Sequence, residues 1–87
     1  MAQARILLWN ESVGSQIITL TAPHRVIAGQ IVSWLSDMYD IPATHIQLSR
    51  NENVWFQGAE YYSRIIVNVN DQIHAEDSLH WKVLDII

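Results

Sequence analysis

The apolar positions near the start of the chain recur every second residue. Ala4 to Leu8 and Gln16-Ile17-Ile18-Thr19-Leu20-Thr21 are separated by the polar stretch Asn10-Glu11-Ser12-Val13-Gly14-Ser15, whose asparagine and glycine suit a reversal. This predicts an opening β-hairpin. With Ile6 and Leu8 toward the core, alternation sends Leu7 and Trp9 to the opposite face. It likewise puts Ile18 and Leu20 inside, and Ile17 and Thr19 outside. After Pro23 the period lengthens. Ile27, Ile31, Leu35 and Met38 fall on one helical stripe, while Arg25, Ser33, Ser36, Asp37 and Asp40 fall off it. Thr21, ahead of Pro23, is a candidate cap, and Pro42 marks the end because a residue before proline is pushed out of the helical region. Gly29 costs this helix about 0.5 to 1 kcal/mol relative to alanine unless a close packing contact requires it. Trp34, beside Leu35, widens the buried stripe.

Beyond the helix, His45-Ile46-Gln47-Leu48 alternates as a short strand and runs into the polar Ser49-Arg50-Asn51-Glu52-Asn53. Val54-Trp55-Phe56 is a brief apolar run closed by Gly58. Tyr61-Tyr62 and Ile65-Ile66-Val67 follow, then the turn signal Asn68-Val69-Asn70-Asp71. The aromatic residues of this stretch, Trp55, Phe56, Tyr61 and Tyr62, are expected to fill core. The last segment, Ser78 to Ile87, sets Leu79, Trp81 and Val83 on one face and His80 and Lys82 on the other.

Composition narrows the class. Eighty-seven residues make a single domain, residues 1-87. A chain this short buries only about 60 to 65% of its unfolded surface, so it depends on an efficient core or on a partner. With 49% hydrophobic and 16% charged residues it is a packed fold and not a disordered one. The net charge of −4 disfavours a phosphate-binding surface, so nucleic acid is an unlikely partner. The chain has no cysteine, which removes disulfides, thiolate metal sites and cysteine nucleophiles. Ile6-Leu7-Leu8-Trp9 is too short for a signal-peptide core or a membrane span. These features imply a soluble, cytoplasmic chain with no membrane association.

Candidate chemistry is sparse. His24, His45, His74 and His80 lack metal-ligand spacing, no serine sits in a nucleophile elbow, and Gly14, Gly29 and Gly58 are too far apart to cradle a phosphate. No catalytic residue, no metal ligand and no cofactor is assigned, and the chain is not expected to be an enzyme. Asp71, Glu76, Asp77 and Asp85 make the C-terminal third acidic. Asn10-Glu11-Ser12 is a formal glycosylation sequon without a secretory context. Glu52-Asn53-Val54-Trp55-Phe56-Gln57-Gly58 is similar to the recognition sequence of a potyviral processing protease, a coincidence within a foldable stretch.

The order strand, strand, helix, strands, with Ile17-Ile18-Thr19-Leu20, the helix exit Tyr39-Asp40-Ile41-Pro42, and Asp71-Gln72-Ile73-His74-Ala75-Glu76-Asp77-Ser78-Leu79-His80, resembles ubiquitin-like domains. Ala28, Ile31, Leu35, Ile41 and Pro42 keep that family's helix-to-exit spacing. The resemblance covers most of the chain outside residues 50 to 70. It implies an α+β, β-grasp fold: a mixed sheet crossed by one helix, with the final strand paired centrally with the first. It also marks departures. Conjugation and sulfur carriage in the family need a tail ending in two glycines, whereas the sequence closes on Val83-Leu84-Asp85-Ile86-Ile87, so a non-conjugating protein is expected. The central isoleucine of the family's binding patch corresponds to Ser49, and the valine on its last strand to Lys82.

On that fold Leu7, Trp9 and Ile17 form an apolar group on the solvent face of the first hairpin, with His80 and Lys82 beside it. A large aromatic ringed by polar groups is how binding hot spots are built. The expected role is therefore that of a noncatalytic adaptor or modulator whose partner is another protein, with Leu7, Trp9, Ile17, His80 and Lys82 as the contact residues. Two other roles fit the composition: an obligate small subunit of a larger complex, of secretion or oxygenase type, and an acidic phage or effector inhibitor of a nucleic-acid enzyme. The sequence does not fix the oligomeric state.

Overall fold

The structure, a computed structural model, describes residues 2–22 and 25–84. Strand β1 (Ala2–Asn10) and strand β2 (Gly14–Ala22) form the opening hairpin, in one unbroken antiparallel register from Ala2 opposite Ala22 to Asn10 opposite Gly14. The turn is built by Asn10. Its Oδ1 accepts from the backbone N–H of Ser12 at 2.7 Å and of Val13 at 3.1 Å, and Gly14 takes the positive φ of 82° that ends such a three-residue loop.

Helix α1 (Ala28–Tyr39) begins later than the proline signal suggests. Thr21 lies in β2 and does not cap it. Gln30 reaches back instead, its Oε1 accepting from the Ile27 N–H at 2.8 Å. The next two donors bond to backbone carbonyls from the far end of the chain: Ala28 N–H to Asp71 O at 2.9 Å, and Gly29 N–H to Val69 O at 2.8 Å. That approach accounts for Gly29, because a Cβ there would lie 3.2 Å from the Val69 oxygen. The buried stripe is Ala28, Ile31, Val32 and Leu35, with Tyr39 packed at its end. It runs one residue around from the stripe read in the sequence, so Ile27 is half-buried and Met38, expected in the core, is 58% exposed. Asp40, with φ of 55°, stops the helix in the left-handed region, and Pro42 opens a 3-10 turn, Ala43–His45.

Strand β3 (Ile46–Phe56) then runs for eleven residues, and β4 (Ala59–Val67) returns along it without a bulge from Phe56 opposite Ala59 to Leu48 opposite Val67. The polar run Ser49 to Asn53, read as an interruption, is the middle of β3. Gln57 and Gly58 both have positive φ, 51° and 79°, the signature of a two-residue type I′ hairpin turn. The stretch that is similar to a protease site is therefore the paired end of β3 and this turn.

Strand β5 (Ser78–Val83) completes a five-stranded sheet in the order β2-β1-β5-β3-β4. It pairs in parallel with β1, Leu8 beside Leu79, and antiparallel with β3, Leu48 beside Trp81. The strand predicted to continue to Ile87 is described to Val83, and Asp85, Ile86 and Ile87 lie outside the described residues, as do Pro23 and His24. The last strand does pair centrally with the first. One helix crosses one face of a mixed sheet, which is the ubiquitin-like β-grasp arrangement.

The core lies between α1 and the inner sheet face. Ile6, Leu8, Ile31, Leu35, Leu48 and Leu79 are its largest fully buried side chains, and Ile18, Ile73, Val67 and Trp81 close it. Trp34, Leu20 and Ile41 pack against it part-buried, as the sequence indicates for Trp34. Val83, expected on the inner face, is 43% exposed at the end of β5. The aromatic residues of β3 and β4 do not fill core. Trp55, Phe56, Tyr61 and Tyr62 are all exposed, because β5 accompanies β3 only from Ile46 to Ser49 and the hairpin beyond projects past the body.

Candidate partner-binding surface

The register places one row of side chains across the outer sheet face. Trp9 on β1 lies beside His80 on β5, His80 beside Ser49 on β3, and Ser49 beside Ile66 on β4. Leu7 and Ile17 face each other one step along the opening hairpin, and Lys82, opposite Gln47, lies one step the other way. The parity of β1 and β2 is the one expected from the buried positions of Ile6, Leu8 and Ile18. Leu7 is 37% exposed, Trp9 44% and Ile17 60%. His80 is half-buried and Lys82 exposed.

Asn10 fixes this row in place. Its Nδ2 donates to the Trp81 carbonyl at 3.0 Å, so one buried side chain both shapes the β1–β2 turn and ties it to β5. The Trp9 and His80 rings meet edge to face, with centroids 6.5 Å apart and planes at 72°. On the inner side of the same strand, Trp81 stacks obliquely on Tyr39 at 5.1 Å, and the Tyr39 hydroxyl donates to Gln16 Oε1 at 2.9 Å. Helix, β2 and β5 are thus joined directly behind the outer row.

A depression of about 620 Å³ opens on that row, lined by Trp9, Ser49, Arg64, Ile66, His80 and Lys82. Ser49 is nearly buried although it faces outward, since it sits between His80 and Ile66. Burial, and secondarily the Arg64 guanidinium, hold the His80 imidazole below its ordinary value of 6.5. Near neutral pH the floor is therefore an uncharged imidazole between a tryptophan and a cation. Leu7 and Ile17 do not line this hollow. They extend its apolar side as a shoulder beyond Trp9.

Of the five residues named from the sequence, three enter the hollow (Trp9, His80, Lys82) and two form the shoulder. Arg64 and Ile66 were missed, because their stretch showed no strand parity in the sequence. The alternation Ile66 outward, Val67 inward, read back from the turn at Asn68, is the signal that would have found them. Among the described residues, no group of three or more His, Asp or Glu is placed to hold a metal ion, and no helix is long and apolar enough to cross a membrane.

This architecture is that of the ubiquitin-like β-grasp class. No protein-family model matches the sequence, and no curated protein does. Among solved structures, the UBL domain of Dsk2 from Plasmodium falciparum is similar over 92% of this chain and 96% of its own, with a TM-score of 0.58 and 8% identity. At that identity the likeness shows the fold alone.

Proposed function

We propose that this chain is a noncatalytic protein-interaction module that binds another protein through the outer sheet face. One observation carries the reading: Trp9, a large aromatic nearly half exposed, stands between an apolar shoulder of Leu7 and Ile17 and a hollow floored by His80 and lined by Arg64 and Lys82. A buried anchor with a polar rim concentrates binding free energy in a few residues. Arg64 and Lys82 line the hollow together with one carboxylate, Glu11, so its charged lining is net positive by one on a chain of net charge −4. This favours a partner that places an apolar side chain next to a carboxylate at the Arg64 and Lys82 side. Ser49 and Lys82 replace the apolar residues that the family's patch carries, so a receptor for that patch is not the partner. The adaptor or modulator role, and a cytoplasmic setting, belong to this reading.

The test is Trp9→Ser. The variant keeps the wild-type thermal unfolding transition, since Trp9 is outside the core, and loses partner capture by about thirtyfold or more, as an aromatic hot spot is worth about 2 kcal/mol or more. A well-folded variant that captures the same partner with unchanged affinity would overturn the assignment.

A further inference from the structure

Among the described residues, the strand β4 ends the sheet with a free edge whose only protecting groups are two charges of opposite sign, Glu60 and Arg64. Natural edge strands are blunted by proline, lysine, a bulge or a covering element. The segment Ala59-Glu60-Tyr61-Tyr62-Ser63-Arg64-Ile65-Ile66-Val67 has no proline and no lysine, and its ladder with β3 is regular throughout. Its outer half projects beyond β5, so β3 and β4 there form a two-stranded arm, a structure only marginally stable in water by itself. On that arm Tyr62 is 76% exposed.

We propose that a second copy of this chain pairs with the free edge of β4, antiparallel, about a twofold axis through Tyr62. The strand is self-complementary in that register and poorly so in its neighbours. Centred on Tyr62, Glu60 faces Arg64 of the other copy, and Arg64 faces Glu60. Large residues meet small ones, Ile65 against Ala59 and Tyr61 against Ser63. The two Tyr62 rings adjoin at the axis. Centring on Glu60 or on Arg64 sets like charges face to face, centring on Ser63 leaves Glu60 opposite Ile66, and centring on Tyr61 leaves Glu60 opposite Tyr62 and Arg64 opposite Gly58, so neither charge is paired. In the Tyr62 register the turn residue Gln57 of one copy ends opposite Val67 of the other, where β4 enters the body. The full free edge is covered, and the two sheets become one. The other edge, β2, carries no charged residue to select a register. This inference does not rest on the partner site at Trp9, and Trp9→Ser leaves the dimer intact.

The test is sedimentation of the purified chain over a wide concentration range, with charge reversals. The wild type associates to twice the chain mass. Arg64→Glu and Glu60→Arg, both at exposed positions, each weaken the dimer by about tenfold or more, since two attractive cross-strand pairs become repulsive. The double variant restores it to within about threefold of wild type. Tyr62→Cys, in a chain with no other cysteine, forms a disulfide-linked dimer under oxidation, because opposed strand positions lie about 4.5 to 5.5 Å apart. A wild type that remains monomeric at every concentration overturns the proposal. So does a dimer that survives both single reversals, which would place the contact on another surface.

Discussion

Asn10 is a single residue with three hydrogen bonds, two into its own turn and one to the Trp81 carbonyl on a strand joined much later in the chain. Asn10→Ala leaves that buried carbonyl unpaired and releases the turn. It therefore lowers stability by about 1 to 3 kcal/mol, read as a lower urea midpoint with an unchanged m-value. His80 gives a second outcome at this scale. Its folded pKa lies below the unfolded 6.5, so between the two values the unfolded chain holds more protons. Stability falls as pH drops through that window and is unaffected by this group above it. Arg64→Glu removes the repelling cation, and imidazole chemical shifts then titrate at higher pH than in the wild type. The outward parity of Leu7, Trp9 and Ile17 was legible in the sequence because one buried face fixes a strand's register. The exposure of Met38 was not. Ile27, Ile31, Leu35 and Met38 satisfy a helical period as well as Ala28, Ile31, Val32 and Leu35 do, and only the sheet decides which side is covered.

Among the elements, the β3–β4 hairpin departs furthest from its sequence reading. Alternation is imposed by a core, and the arm has none beneath it, so Asn51, Glu52 and Asn53 occupy a strand without an apolar residue among them. Arg50 and Glu52, which point to the core side beyond the helix, pair with each other there at 3.2 Å. The legible feature was the turn. Gly58 closes two β-prone runs, and the type I′ geometry wants positive φ at both central positions, which asparagine tolerates better than glutamine. Gln57→Asn stabilises the arm by about 0.5 to 1 kcal/mol, which slows hydrogen exchange of its amides by about two- to fivefold. Unchanged exchange would mean that the turn does not limit opening of the arm. The helix was legible in type but only partly in its face and not in its start, because the Ile27 N–H is met by Gln30 and the next two donors by carbonyls of Asp71 and Val69, with no capping side chain ahead of the helix.

At the scale of the whole molecule, the fold was legible from the order of elements and from the core positions that the ubiquitin-like resemblance marks. Ala28, Ile31, Leu35, Ile73 and Leu79 are all buried. The shape was not legible. The radius of gyration, 13.8 Å, exceeds the roughly 12 Å expected of a compact chain of this length, and the projecting arm is one source of the excess. The candidate surface was legible on the side supplied by β1 and β5 and illegible on the side supplied by β4, where the alternation is hidden by the consecutive isoleucines. The two proposed contacts use different parts of the sheet, its outer face and its β4 edge, with Arg64 common to both.

The middle of this sheet is occupied by β5, the last of its strands along the chain. During synthesis, therefore, the ribosome releases both flanks before it releases the piece that joins them. Until Ser78 to Val83 clear the exit tunnel, β1 and β3 have no shared neighbour and Leu8 and Leu48 have no Leu79 or Trp81 between them. Neither flanking ribbon, only marginally stable in water on its own, gains its third strand before then, and β5 is the keystone that joins them.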